Sequence, residues 1–216
     1  MHLVIGTPMY GGMCCSEYTQ SMLQLQSDME QNGHKLTCVF LGNESLIQRA
    51  RNTVAHHFLQ TDASHLLFID ADQKFKPGDI VKMIQADKGI IAGCVPMKGI
   101  NWSRVKQGAV LNHPNLSSLT GIFNIHELDG HKMKHPDQPF QVEWAGTGFM
   151  LIKREVFEEL KPHVGTYDNG GQSIPDGTPV YDFFQVGVVD GKLLSEDFFF
   201  CDRFRKHGGT VLAVPW

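Results

Sequence analysis

The chain has 216 residues, of which 42% are apolar, so it can bury one sizeable core, and we predict a single domain. Its 19 basic and 23 acidic residues give a net charge of −4 and form no basic run, which argues against a nucleic-acid partner. The five cysteines lack a Cys-x-x-Cys spacing, and neither a secretion signal nor a long apolar segment is present. We expect a cytoplasmic protein with reduced thiols and no membrane span.

The first strand is predicted over residues 3–6, followed by a loop from Thr7 to Gly12. This loop has neither the Gly-x-Gly-x-x-Gly of a dinucleotide site nor the Gly-Lys-Ser/Thr of a P-loop. Tyr10 could stack on a nucleotide base. A Pro/Gly turn that carries an ordinary aromatic residue is the alternative.

A helix is predicted to begin at Ser16 and to end before Gly33, and a second strand is predicted over residues 36–41. The apolar residues of the helix recur at helical spacing and are expected in the core. They are Tyr18, Met22, Leu25 and Met29.

A second helix is predicted from Ser45 to Gln60, with Gln48 completing a capping-box spacing. Its buried stripe consists of Ile47, Ala50, Val54 and Phe58. The polar residues near the edge of this stripe are Arg49, Arg51 and Asn52. The two arginines could pair with a phosphate or with an acidic site, and solvated surface arginines are the alternative.

Two carboxylates follow the next strand, whose apolar residues 66–69 indicate burial on both faces. Asp70 and Asp72 come at its carboxyl end, where open α/β sheets bind their ligands. If the backbone stays extended, both side chains point the same way and can share a divalent cation. The alternative is a turn in which acidic residues end a strand.

Pro77 is placed in the first turn of a third helix that directs Ile80, Val81 and Ile84 inward, and residues 89–96 are predicted to form a buried strand. Strands and helices alternate up to this point. We therefore predict an α/β fold with a mostly parallel, twisted sheet covered on both faces.

Residues 97–140 are predicted to contain loops and short strands, as a small β insertion. Strand character resumes over residues 142–152, where Ala145, Gly146 and Gly148 permit close approach of a ligand or, alternatively, mark a bend. Residues 167–182 are predicted to form a long surface loop that closes over a substrate.

A last helix is predicted to open at Ser195, its N-cap, with Glu196 and Asp197 in the first turn. The helix dipole stabilises carboxylates there, so simple capping is the alternative to a catalytic role. Residues 210–216 are strand-like, and an apolar end suggests one module of a longer polypeptide.

Five segments of the chain, in this order and spacing, resemble those of GT-A glycosyltransferases, in particular the small virus- and bacteriophage-encoded members, including those of chlorella viruses, and their bacterial relatives. The segments are Thr7-Pro8, Arg49-Ala50-Arg51-Asn52, Asp70-Ala71-Asp72 (a DXD motif), Ala145-Gly146-Thr147-Gly148-Phe149 and Glu196-Asp197. The resemblance implies a three-layer GT-A fold, a nucleotide-diphosphate sugar donor with a UDP-sugar favoured, and a glycan or other hydroxyl acceptor.

The resemblance also implies roles for individual residues. Mn²⁺ or Mg²⁺ is bound by Asp72 together with Asp70, and Asp197 is the catalytic base of an inverting transfer, with Glu196 beside it. The residues expected to contact the nucleotide or its sugar are Thr7, Pro8, Tyr10, Arg49, Arg51, Asn52, Asp70, Ala71, Asp72, Gly146, Thr147 and Gly148. Many relatives carry an acidic residue after the second strand to bind uracil, whereas this chain has Leu41-Gly42-Asn43 there.

Two other functions are compatible with a nucleotide-binding α/β fold. A nucleotidyltransferase would use a related fold and a metal, but it usually has a basic, glycine-rich loop after the first strand, and residues 7–12 contain no basic residue. A non-catalytic module that binds sugar nucleotides or glycans is the second alternative.

Overall fold

The computed structural model describes residues 1–128, 130, 138–170 and 173–215 of the chain. The strands are β1 (His2–Met9), β2 (Lys35–Gly42), β3 (His65–Ile69), β4 (Ile90–Gly93), β5 (Ile125–Glu127), β6 (Phe140–Ala145), β7 (Phe149–Lys153), β8 (Thr166–Asp168), β9 (Pro179–Tyr181), β10 (Gly187–Val189), β11 (Lys192–Leu194) and β12 (Val211–Val214). The α-helices are α1 (Ser16–Gln31), α2 (Ile47–Leu59), α3 (Pro77–Gln85), α4 (Trp102–Val110), α5 (Arg154–Leu160) and α6 (Glu196–Lys206).

The central sheet has eight strands in the order β2-β1-β3-β7-β4-β12-β6-β5. Parallel pairs join β1 to β2, β1 to β3 and β4 to β12, whereas β7 is antiparallel to both of its neighbours. Strand β6 is antiparallel to β12 and to β5, so β6 and β7 run against the other six strands. The sheet is therefore mixed, with most of its strands pointing the same way, and it includes strands from both ends of the chain.

Helices cover both faces of this sheet because side chains alternate along each strand. Leu3 and Ile5 pack with α1 and α3 on one face, and Val4 packs with α2, α5 and α6 on the other face. The two apolar clusters form the core on either side of the sheet. This arrangement confirms the prediction of an α/β fold with a sheet covered on both faces.

The predicted order of alternating strands and helices is confirmed from β1 to β4. All four predicted core residues of α1 are buried, and Gly33 follows the helix with a φ of +65°, the left-handed conformation that glycine adopts at helix ends. The prediction for α3 is wrong at Val81, which is half exposed, while Met83 fills the buried position.

The start of α2 differs from the predicted capping box. The helix begins at Ile47, and Ser45 provides no side-chain cap. Glu44 takes that role, since its carboxylate accepts a hydrogen bond of 2.9 Å from the Leu46 N–H. A carboxylate next to the free N–H groups of a helix start is favourable for the same reason as a serine cap.

Two segments, one predicted to contain loops and short strands and the other predicted as a surface loop, contain more regular structure than predicted. Residues 97–140 include helix α4 beside β5, so the insertion is not purely β and loop. The predicted surface loop 167–182 is bounded by a hairpin in which β8 pairs with β9, and residues 171–172 lie outside the description. A further hairpin, β10 with β11, precedes α6.

The end of the chain forms β12, as the apolar run predicts, although Trp216 lies outside the described residues. In the described part of the chain, every helix is too short or too polar to cross a lipid bilayer.

Candidate functional site

The carboxyl ends of β1 and β3 define the crevice in which this fold can bind a ligand. Strand β2, the next strand in sequence, pairs with one edge of β1, and β3 pairs with the opposite edge. The strand order therefore reverses at β1. Ligands of open α/β sheets bind at such a reversal. The predicted Asp-x-Asp segment follows β3 directly and lies at this position.

Asp70 and Asp72 do not continue the strand. The extended backbone that the prediction assumed ends at Ile69, and a turn follows in which the Gln73 N–H donates to the Asp70 carbonyl at 3.0 Å. Both aspartate side chains nevertheless remain accessible, with exposed fractions of 41% for Asp70 and 42% for Asp72.

Arg51 is buried beneath Asp70 and connects it to the last helix. Its side chain is 6% exposed, its Nε donates to Glu196 Oε1 at 3.1 Å, and its Nη2 lies 3.6 Å from Asp70 Oδ1. The guanidinium carbon also lies 5.3 Å from the centroid of the Phe68 ring. Arg51 therefore links the carboxylate of Asp70, which follows β3, to that of Glu196 in α6, and its charge is directed at them rather than at solvent.

The glycines between β6 and β7 are required by their protein neighbours. A Cβ atom at Gly148 would lie 2.9 Å from Asp70 Oδ2, and one at Gly146 would lie 2.3 Å from Asn124 Nδ2. The Asp70 N–H also donates to the Gly148 carbonyl at 2.9 Å. Of the two explanations for these small residues, close approach to another part of the chain accounts for them directly.

Asp197 lies in a buried position at the start of α6. One carboxylate oxygen, Oδ1, accepts hydrogen bonds from the Ser195 hydroxyl and from the Phe198 N–H. The other oxygen, Oδ2, is 3.5 Å from Asn124 Nδ2, a long contact. Ser195 thus precedes the helix as predicted but uses its hydroxyl to orient Asp197 instead of capping a backbone N–H.

Lys98 forms an ion pair with Asp72. Its Nζ lies 2.6 Å from Asp72 Oδ2, and the hydrogen bond between them lowers the pKa of Asp72 and raises that of Lys98. The charge of Asp70 contributes in the same direction to the pKa of Lys98. The Lys98 ammonium group thus interacts electrostatically with both aspartates.

Two predicted contact residues, Arg49 and Asn52, are engaged elsewhere. Arg49 pairs with Glu44 through two hydrogen bonds. Asn52 is buried, donates to Asp182 Oδ1 at 2.8 Å and accepts from the Phe184 N–H at 2.9 Å, so it fixes the segment after β9. Asn52 is a structural residue here and lies away from solvent.

The predicted base-binding residues divide into accessible and inaccessible groups. Thr7 is fully buried within β1, and its hydroxyl is hydrogen-bonded at 2.7 Å to that of Tyr18, whose pKa burial raises to about 12. Pro8 is part of the same strand. Tyr10 begins a short 3-10 helix and is 77% exposed, so it alone of the three presents a broad surface to a ligand.

Two further predicted residues border Asp70. The Ala71 carbonyl accepts a hydrogen bond of 2.9 Å from the Cys15 N–H, which fixes the start of α1 next to the turn. The Thr147 hydroxyl and Arg51 Nη1 are buried, and neither has a hydrogen-bond partner among the described residues. Buried polar atoms are usually paired, so these two have hydrogen-bonding capacity left for a ligand or water.

The structure therefore brings together six residues from five distant segments: Arg51, Asp70, Asn124, Gly148, Glu196 and Asp197. Lys98 and Asn124 were missed as contributors to the site. Neither belongs to a motif, and both lie in the insertion, where no periodic pattern assigned a position to any side chain.

Comparison with known proteins supports the fold. The structure is similar to the crystal structure of A197 from STIV, with a TM-score of 0.55 and 15% sequence identity, over 99% of this chain and 82% of that one. At this identity the similarity concerns the fold alone. No protein-family model matches the chain, and no curated protein sequence matches it either.

We expect Gly148→Ala to disturb the site more than the fold. The new methyl group would displace the Asp70 carboxylate, which is the flexible end of a side chain, so the midpoint of thermal unfolding should change little. If Asp70 binds Mn²⁺ as the Asp-x-Asp segment predicts, the affinity for Mn²⁺, measured by calorimetry, should fall. Gly165→Ala, where an added Cβ has no atom within 4 Å, is the matched control and should leave both quantities unchanged.

Proposed function

We propose that this protein is a metal-dependent glycosyltransferase of GT-A type that transfers a sugar from a nucleotide-diphosphate sugar, with a UDP-sugar favoured, to a hydroxyl group of a glycan or similar acceptor. The single observation that carries the proposal is the pair of half-exposed carboxylates, Asp70 and Asp72, at the strand-order reversal, where Arg51 joins Asp70 to Glu196 at the start of α6.

The charges of the site support a role for a divalent cation. Four carboxylates, those of Asp70, Asp72, Glu196 and Asp197, are accompanied by two cationic side chains, those of Arg51 and Lys98. The formal excess of two negative charges would repel a diphosphate that arrived alone. A divalent cation would cancel this excess and make the crevice receptive to phosphate oxygens.

The donor groups fit Mg²⁺ or Mn²⁺. In the described part of the chain, three or more His, Cys, Asp or Glu side chains do not gather at any one point as a ligand set. Mg²⁺ is commonly held by one or two carboxylates together with substrate phosphates and water, and both aspartate side chains are accessible for that role. When bound, the cation would supply charge neutralisation for the departing nucleoside diphosphate.

We assign the role of the base to Asp197. With Oδ1 held by Ser195 and Phe198, its Oδ2 retains lone-pair capacity beyond the long contact with Asn124. In the proposed reaction this oxygen takes the proton of the acceptor hydroxyl while that hydroxyl attacks the anomeric carbon. Attack from the side opposite the leaving group inverts the anomeric centre. Arg51 acts through Asp70 and Glu196, which it orients.

The nucleoside is proposed to lie over the carboxyl end of β1. Tyr10 offers an exposed ring there, and the adjacent end of β2 comes close, since a Cβ at Gly42 would be 3.8 Å from Gly12 Cα. A stacked aromatic ring does not select one base strongly.

A thermal-shift panel of nucleoside diphosphates and their sugars, with and without Mn²⁺, tests the proposal. A ligand present at 100 times its Kd stabilises the folded state by about 2.7 kcal/mol, which raises the melting temperature by several degrees. We expect one base to give a shift that requires Mn²⁺. Release of that nucleoside diphosphate with transfer to a hydroxyl acceptor should follow, and the product's anomeric configuration can be read by NMR. Binding without any turnover, including donor hydrolysis, would favour a non-catalytic module.

A further inference from the structure

The backbone before Lys98 is fixed, whereas the Lys98 side chain is exposed to solvent. The Met97 N–H donates to the Ile122 carbonyl at 2.7 Å, and Pro96 forms a β-bridge with Phe123, so the chain on the amino-terminal side of Lys98 is fixed. The side chain is 90% exposed, and its Nζ lies 2.6 Å from Asp72 Oδ2. A fixed backbone with a long, solvated stem allows the ammonium group to take more than one position.

The ammonium group contacts Asp72 Oδ2, one of the carboxylate oxygens that a cation at the Asp-x-Asp segment could use. Coordination of Mg²⁺ or Mn²⁺ requires a carboxylate oxygen at about 2.0 to 2.2 Å, and Asp72 Oδ2 is already engaged by Lys98. Two positive groups on one oxygen repel each other. An ion pair this exposed is weak, so the ammonium group can be displaced at small cost.

Resting on the proposed function, we propose that Lys98 is an exchangeable occupant of the cation site. It pairs with Asp72 in the free protein, leaves when the divalent cation binds, and then pairs with a phosphate oxygen of the donor. The exchange couples the binding of the metal to the binding of the nucleotide, because the displaced ammonium group gains a new partner only when the diphosphate is present. Lys98 is thus a positioning residue that disfavours metal binding in the absence of donor.

The test is calorimetric titration of the folded protein with Mn²⁺, alone and in the presence of a saturating nucleoside diphosphate chosen by the thermal-shift panel. For Lys98→Gln we expect Mn²⁺ alone to bind about fivefold more tightly than to the unmodified protein, the upper range for loss of competition from an exposed ion pair. With the nucleotide present, the gain should disappear or reverse, because the diphosphate loses a cationic partner.

Two control variants define the effect. Lys98→Arg retains the positive charge and should behave as the unmodified protein. Lys106→Gln removes an exposed lysine from α4 in the same insertion and should leave both Mn²⁺ affinities unchanged. Circular dichroism and the melting temperature confirm that each variant is folded.

The possible outcomes separate this inference from the proposed function. Equal Mn²⁺ affinities for Lys98→Gln and the unmodified protein, with binding abolished by Asp72→Asn, would overturn the exchange and leave the metal site standing. Tighter binding by both Lys98→Gln and Lys106→Gln would also overturn it, since net charge would then be the cause. Absence of Mn²⁺ binding by every variant, with or without nucleotide, would overturn both proposals.

Discussion

Asp197→Asn is expected to lower kcat by about 10²- to 10⁴-fold, the usual contribution of a general base. The asparagine side-chain oxygen can still accept the hydrogen bonds from Ser195 and Phe198, so the start of α6 should keep its structure. The amide cannot take a proton from the acceptor. The affinity for nucleoside diphosphate with Mn²⁺ should remain within a few-fold of its original value.

The measurement is steady-state release of nucleoside diphosphate in the presence of acceptor, together with calorimetry of donor-product binding. Asp202→Asn, on the same helix and paired with Lys206 at 2.8 Å, is the matched control and should retain full kcat. Unchanged turnover by a folded Asp197→Asn protein would remove the base assignment. Loss of turnover in both variants would indicate a general effect on α6.

Arg51→Met should destabilise the protein by about 3 to 5 kcal/mol, because it leaves the buried carboxylate of Glu196 without its partner. The free energy of unfolding from urea denaturation gives this value directly. Arg49→Met is the matched control on the same helix. Its ion pair with Glu44 is more exposed, so the expected loss is about 0 to 1 kcal/mol.

A second substitution separates the buried charge from lost packing. In the double variant Arg51→Met/Glu196→Leu both partners are apolar, and most of the lost stability should return. A loss below about 1 kcal/mol for Arg51→Met, or no recovery in the double variant, would contradict the role of Arg51 as the partner of a buried carboxylate.

The first half of the fold could be predicted because its elements are long and periodic. Helix α1 buries one regular stripe, and β3 is apolar throughout, so sequence spacing alone indicates both. Helix α4 was missed because it has only nine residues, and Gly108, its one buried residue, is a poor helix former. The hairpin strands of β8 to β11 have three residues each, too few for an alternating pattern to be recognised.

The site was predictable only in part, since motif spacing identifies residues but not their partners. Arg51 and Asn52 are adjacent, yet one faces the acidic site and the other fixes the segment at Asp182. Arg51 reaches Glu196 and Asn52 reaches Asp182 across more than 100 residues of sequence, and local pattern carries no information about such contacts. Thr7 was predicted to lie in a loop because Pro8 suggests a turn. In the structure β1 continues through Met9, because β2 pairs with it along its whole length.

The central claim is that Asp70 and Asp72 bind a cation that in turn binds the donor's diphosphate. Calorimetry of nucleoside diphosphate binding with and without Mn²⁺ tests it most directly, on the unmodified protein, on Asp70→Asn/Asp72→Asn and on the control Asp190→Asn, at the exposed turn between β10 and β11. The account predicts that Mn²⁺ strengthens nucleotide binding at least tenfold in the unmodified protein and the control, and that the double variant loses this gain. Retention of the full Mn²⁺-dependent gain by a folded double variant would contradict the claim.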